Sequence, residues 1–142
     1  MKLKVKKLVE SAVIPSRAKQ DDAGYDLTAI SKNEINQKEF GYIEYGFGLA
    51  LEIEPGYVGL IFPRSSISRT DLILSNAVGV VDPGYRGEVT ARFKWVPRTK
   101  TYEIGDRIAQ LIIIKTEELE IEVTDNLSDS DRGSGGYGSS GS

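Results

Sequence analysis

An alternation of period two runs through this chain and constrains its fold more than any other feature. In "GEVTARFKWV", Val89, Ala91, Phe93 and Trp95 share one face, while Glu88, Thr90, Arg92 and Lys94 share the other. "ELEIEV" sets Leu119, Ile121 and Val123 against Glu118, Glu120 and Glu122, and "GLALEIEPGY" and "LKVKKL" alternate in the same way. Successive side chains of an extended chain point to opposite sides, so these segments are predicted as half-buried strands. "RIAQLIIIK" is apolar on both faces except at Gln110, which predicts a central strand. Turn formers interrupt the runs at Pro55-Gly56, Pro63, Pro83-Gly84, Pro97 and Gly105-Asp106. No segment of a dozen residues keeps a helical stripe. The expected fold is all-β, a jelly-roll-like barrel or sandwich of many short strands. The 142 residues suffice for one core. Composition shifts only at the tail, so residues 1–131 are read as one β domain and 132–142 as a flexible Gly/Ser-rich arm.

The chain contains neither cysteine nor histidine. Disulfides, thiolate metal sites and a cysteine nucleophile are excluded, and so are the commonest general base and the commonest zinc ligand. Acid–base chemistry must fall to carboxylates, Lys, Tyr or water, and a metal is expected to be a hard, oxygen-bound ion such as Mg²⁺. Net charge is −3 and the pI near 5.1, which argues against a protein that coats nucleic acid. An anionic ligand would need a local arginine cluster. The longest apolar run, Leu111 to Ile114, is far too short to span a membrane, and the N-terminal "MKLKVKKLVE" lacks a signal-peptide core. Cytoplasmic residence is the expectation.

Several short stretches carry candidate chemistry. "AVGVVDPGYRGEV" runs an apolar segment into Asp82 and then a Pro83-Gly84 turn, whose residues suit type II. Asp82 either caps this hairpin or stands as a carboxylate able to take a proton from water. Alone, the stretch favours the cap. In "IFPRSSISR", Arg64, Ser65 and Ser66 follow a strand broken at Pro63, a combination that can hold phosphate oxygens or form an exposed polar turn. A serine nucleophile has no histidine to activate it. "DDAGYDL" places Asp21, Asp22 and Asp26 together, as an acidic loop or as holders of Mg²⁺, directly or through its waters. Gln110 interrupts a buried strand and must satisfy its amide in the core, at an interface or on a ligand.

After Arg132 the chain continues with ten residues, all Gly or Ser except Tyr137. Such a segment cannot offset its ordering entropy by burial. It lacks the Lys of a P-loop and is either a frayed end, even a linker remnant, or a wrap. As a wrap, its glycines bring backbone close to phosphates, Arg132 pairs with one, and Tyr137 stacks on a base. Ten extended residues reach roughly 33 Å, enough to cover a site on a neighbouring subunit.

Taken together and in order, "AGYDL", "PRSS", "GVVDPGYRGE", "GDRIAQLI" and "RGSGGYGSSG" resemble the five motifs of the trimeric dUTPase family, over about Lys2 to Gly141. The resemblance implies a homotrimer of jelly-roll-like subunits that uses Mg²⁺ to convert dUTP and water to dUMP and pyrophosphate. That reaction limits uracil in DNA and supplies dUMP for thymidylate synthesis. It implies active sites shared among three chains and closed by a neighbour's arm, with neither nucleic acid nor membrane as partner. It implies Asp82 as the base for the water that attacks the α-phosphorus. Tyr85 would lie under the deoxyribose and exclude a 2′-hydroxyl. Asn76 and backbone near Gly79 would read uracil. Arg64, Ser65, Ser66 and Gln110 would contact phosphates, and Asp26 would hold waters around Mg²⁺. Arg132, Gly138, Ser139 and Ser140 would bind the substrate from the arm, with Tyr137 as its stacking ring.

Two positions depart from the family's usual pattern. Tyr137 stands where Phe is frequent, and Ser66 where Gly is frequent, so Ser66 bears on the geometry of the phosphate turn. The nearest rival is dCTP deaminase, whose motifs resemble "RSSISR" and "DPGYRGEVT". Its catalytic glutamate lies ten residues after the aspartate of that turn, where this chain has Arg92. A non-enzymatic nucleotide sensor on the same scaffold is a rival from another class, and a structural β module with a loose tail is a third.

Overall fold

The computed structural model describes residues 1–36, 41–94 and 100–136. Ten strands account for its regular structure: β1 Lys4–Lys7, β2 Tyr25–Thr28, β3 Ser31–Asn36, β4 Gly41–Gly46, β5 Leu49–Glu52, β6 Tyr57–Pro63, β7 Ile73–Leu74, β8 Gly79–Val81, β9 Thr90–Lys94 and β10 Arg107–Lys115. One turn of 3₁₀ helix, Ser65–Arg69, follows β6. Two four-stranded sheets, in the orders β2-β10-β6-β8 and β3-β4-β9-β7, are joined by a two-stranded β1-β5 ribbon. Every pairing is antiparallel. The fold is all-β and jelly-roll-like, as the alternation predicts.

The period-two faces turn inward as expected. Val89, Ala91 and Phe93 are buried while Arg92 and Lys94 face solvent; Trp95 lies outside the described residues. β10 pairs with β2 on one side and β6 on the other, which makes it the central strand its two apolar faces imply. Leu27, Ile61, Ile108 and Leu111 from one sheet join Ile43, Tyr45, Leu74 and Phe93 from the other in a single core cluster. Each large side chain so buried contributes about 1.5–3 kcal/mol. Tyr45, Phe93 and Tyr102 meet edge to face, with centroids 5.7 to 6.4 Å apart. The Tyr45 hydroxyl donates to the Tyr102 carbonyl at 2.9 Å, so the buried phenol is satisfied. Burial pushes its pKa up to about 12.

One predicted strand is absent. "ELEIEV" belongs to no sheet, and Leu119, Ile121 and Val123 are 77%, 86% and 93% exposed. Alternation creates an apolar face, but a strand also needs an edge to pair with, and within the described residues of its own chain this segment has none. Also among the described residues, no helix is long and apolar enough to cross a membrane.

Candidate active site

The first cluster forms around the loops that link β7, β8 and β9; β8 pairs with β6 and β9 with β4 and β7, so the Asp82 turn crosses between the two sheets and is not the hairpin the sequence suggested. Between β7 and β8 the chain reverses sharply: Ala77 N–H donates to Leu74 C=O at 3.0 Å and Val78 N–H to Asn76 C=O at 2.6 Å. Ala77 sits at φ 59°, a left-handed conformation that costs a non-glycine residue roughly 1–2 kcal/mol. The strain lies directly beside Asn76. After β8, Tyr85 N–H closes a turn onto Asp82 C=O at 3.0 Å. The turn is not type II: Gly84 does not have the positive φ that type II demands of its third residue. Type I geometry accepts proline at the second position equally well. Arg86 clamps the turn by donating to the carbonyls of Pro83 and Tyr85. The Tyr85 hydroxyl donates to Glu88 C=O at 2.9 Å, folding its ring over Gly87. A Cβ at Gly87 would sit 2.5 Å from that hydroxyl. Asn76, Gly79, Asp82 and Tyr85 thus line one cavity of about 200 Å³. Gly79 keeps it open, since a Cβ there would press to 3.1 Å from the Cβ of Ile61.

The second cluster forms where β6, β10 and β2 adjoin. Gln110 lies opposite Asp26 in the β10–β2 register and opposite Phe62 in the β10–β6 register. Its amide nitrogen donates to Pro63 C=O at 3.2 Å. Asp26, Arg64, Ser65 and Gln110 line a cavity of about 260 Å³ together with Gly24 and Asp22. Asp26 is 12% exposed at its side chain and doubly paired: Arg64 Nε lies 2.7 Å from one carboxylate oxygen and Arg107 Nη1 lies 3.0 Å from the other. Asp22 caps its own loop by accepting from Lys19 N–H at 2.8 Å, which is the structural reading of that carboxylate. Ser66 does not join Ser65. Its hydroxyl pairs with the Tyr102 hydroxyl at 2.8 Å, in an adjoining cavity of about 430 Å³ lined also by Arg69, Lys100 and Arg107.

The two clusters share no lining residue. Arg132 stands apart from both: its Nε donates to Gly135 C=O at 3.0 Å within the arm itself. Tyr137, Gly138, Ser139 and Ser140 lie outside the described residues. Position 92 holds no carboxylate but a guanidinium, paired with Glu44 at 2.7 Å and lying 4.8 Å over the Tyr42 ring. The Glu44 carboxylate raises the pKa of Arg92 further, so it has no proton to exchange near neutrality.

Sequence reasoning passed over Gly24, Gly87, Ala77 and Arg107. Gly24, Gly87 and Arg107 stand inside "AGYDL", "GVVDPGYRGE" and "GDRIAQLI", but their parts depend on contacts between segments that no spacing reveals.

The fold and these two clusters define an all-β, histidine-free scaffold that gathers one carboxylate turn and one arginine cluster. The dUTPase family model matches residues 10–141. The deoxyuridine 5′-triphosphate nucleotidohydrolase of Gloeothece citriformis is 38% identical over 99% of this chain and 97% of its own length. That of Nautilia profundicola is 40% identical over 99% of each. The Staphylococcus bacteriophage 80alpha dUTPase with dUPNHPP superposes with a TM-score of 0.80 at 30% identity, over 99% of each chain. A mutant dUTPase from phage phi11 of S. aureus, described for its coordination of a structural Mg(II) ion, superposes at 0.72 with 25% identity over 89% of this chain and 98% of its own. The chain belongs to the dUTPase family, the dUTP diphosphatases.

Proposed function

We propose that the chain hydrolyses dUTP to dUMP and pyrophosphate by in-line attack of water on the α-phosphorus, with Asp82 as the base. The observation that carries the reading is the convergence of Asn76, Gly79, Asp82 and Tyr85 on one small cavity at the clamped turn. A base-sized recess, a sugar-facing ring and a carboxylate at the rim are what uridine recognition beside a hydrolytic centre requires. The Asp82 carboxylate accepts a proton from water as its oxygen bonds to phosphorus, and the α–β bridging oxygen departs with pyrophosphate. In a chain without histidine this carboxylate is the base at hand. Asn76 and backbone near Gly79 hydrogen-bond the uracil edge, and an unpaired donor or acceptor there rejects cytosine. The Tyr85 ring under the deoxyribose leaves no room for a 2′-hydroxyl. Arg64, Ser65 and Gln110 take the phosphates, with Ser66 behind them on Tyr102.

The donor set fits Mg²⁺ in one manner only. Among the described residues no group of three or more acidic side chains gathers as a direct metal site. Asp26 gives one lone pair of each oxygen to a guanidinium and keeps others, so it suits hydrogen bonds from the ion's water shell. Bound on the triphosphate, the ion would neutralise charge on the departing pyrophosphate.

Two observations support a homotrimer with shared sites. The clusters around Asp82 and around Arg64 occupy separate cavities, so one nucleotide spanning both functions draws naturally on two chains. The exposed alternation of Leu119, Ile121 and Val123 belongs to no sheet of its own chain, and another subunit's strand edge could pair with it. Residues 132–142 then act as the arm, with Arg132, Ser139 and Ser140 on phosphates, Tyr137 on the base and Gly138 also at the substrate, over a body of residues 1–131. The enzyme would serve cytoplasmic nucleotide metabolism, lowering dUTP and supplying dUMP. Pyrophosphate release from dUTP, dCTP, dTTP and UTP, with Mg²⁺ and with EDTA, tests the reading. Release from dUTP alone, abolished by EDTA, is expected; equal release from UTP would refute the role of Tyr85.

A further inference from the structure

The structure assigns Arg107 as a positioning residue for the triphosphate: acting through Asp26, it holds the Arg64 guanidinium in place. This rests on the reading of Arg64 as a phosphate contact. The argument begins with strand parity. Gln110 opposes Asp26 and Ala109 opposes Leu27, yet Arg107 opposes Thr28, so β10 carries one extra residue between them. In an unbroken pairing Arg107, three residues from Gln110, would face away from Gln110 and Asp26. The bulge reverses its parity and turns it onto their face.

The consequence is a chain of three charges. Asp26 receives Arg107 at 3.0 Å and Arg64 at 2.7 Å on its two oxygens. The bulge backbone tethers Arg64 as well: Ile108 C=O accepts from Arg64 N–H at 3.3 Å and Arg107 C=O from its Nη1 at 3.5 Å. With Nε spent on Asp26, Arg64 still has donors to direct at an anion in a fixed plane. Rotamer freedom surrendered before the ligand arrives is not lost again on binding.

The test compares Arg107→Ala, Arg107→Lys, Arg64→Ala and the double variant Arg64→Ala/Arg107→Ala. The readouts are KM and kcat for dUTP and the affinities for dUMP and for α,β-imido-dUTP. Arg107→Ala is expected to weaken binding of the imido analogue roughly tenfold, as loss of a preorganised contact does, with dUMP binding retained. Arg107→Lys, which keeps the charge and can reach one oxygen, should recover to within about threefold. The double variant should bind like Arg64→Ala, because Arg107 acts through Arg64. Wild-type affinity in Arg107→Ala overturns the inference, and so does equal loss of dUMP, which would indicate general damage. Multiplying effects in the double variant would place Arg107 on the phosphates itself and overturn the positioning role. Normal binding by Arg64→Ala would remove the phosphate reading and this inference with it; damage there beside a normal Arg107→Ala would sink this inference alone.

Discussion

The amide oxygen of Gln110 occupies the space where a Cβ of residue 24 would stand, and Gly24 is what lets it lie there. The Cβ and Cδ of Gln110 would also come within 3.0 and 3.1 Å of such an atom. The pair spans two strands' ends and sets one wall of the arginine cavity. Gly24→Ala is therefore expected to displace the Gln110 amide from Pro63 C=O. Overpacking of this kind costs about 1–3 kcal/mol. Steady-state kinetics should show a raised KM for dUTP with a modest fall in melting temperature. An unchanged KM would show that Gln110 need not be held where it lies.

Asp82 lies exposed at the mouth of its cavity, on a turn clamped by Arg86. Asp82→Asn preserves shape and removes the base. Turnover should fall by about 10²–10⁴-fold, the range typical of general-base catalysis. Affinity for α,β-imido-dUTP should be retained. A variant that turns over like the wild type would remove Asp82 from the chemistry.

The described part of the arm makes its hydrogen bonds within itself: Gly133 N–H to Ser130 C=O at 3.0 Å and Gly135 N–H to Arg132 C=O at 3.1 Å. None of the described residues 133–136 belongs to the core. After deletion of residues 133–142, thermal melting should be unchanged while dUTP hydrolysis drops severely. Normal hydrolysis by the truncated protein would reduce the arm to a loose terminus.

Tyr45 links stability to alkaline pH. Burial raises its pKa from 10.0 to about 12, so the folded state holds the phenolic proton more tightly than the unfolded chain does. Its contribution is complete below pH 10 and is lost as pH rises through 12. Urea unfolding measured across that window should show stability falling for the wild type and a shallower slope for Tyr45→Phe. Near pH 8 that variant should be weaker by about 1–3 kcal/mol, since the buried Tyr102 carbonyl loses its donor. Equal slopes would assign the alkaline loss to other groups.

The strand content of this protein was legible wherever alternation coincided with a local partner. Val89, Ala91 and Phe93 announce β9 and its buried face, and the doubly apolar run around Gln110 announces a central strand. The same rule failed at Leu119, Ile121 and Val123, where the pattern is as clean but the described chain offers no edge. Asp82, Arg64, Ser65, Gln110 and Asp26 could be picked out as candidates because a chain without histidine or cysteine leaves few groups for chemistry. Arg107 could not, because its face depends on a bulge, and one inserted residue inverts a strand's parity without marking the sequence.

The amino-acid sequence by itself determined the all-β class, the half-buried strands, the absence of histidine and cysteine and the motifs that place the chain in its family. These depend on side-chain period and on residue chemistry, both of which are local. Only the tertiary structure decided that Asn76, Gly79, Asp82 and Tyr85 share one cavity while Asp26, Arg64 and Gln110 share another. Only it turned Ser66 toward Tyr102 and joined Arg64 and Arg107 through one carboxylate. Those relations are set by strand register and by the packing of distant segments, which depend on the whole chain at once.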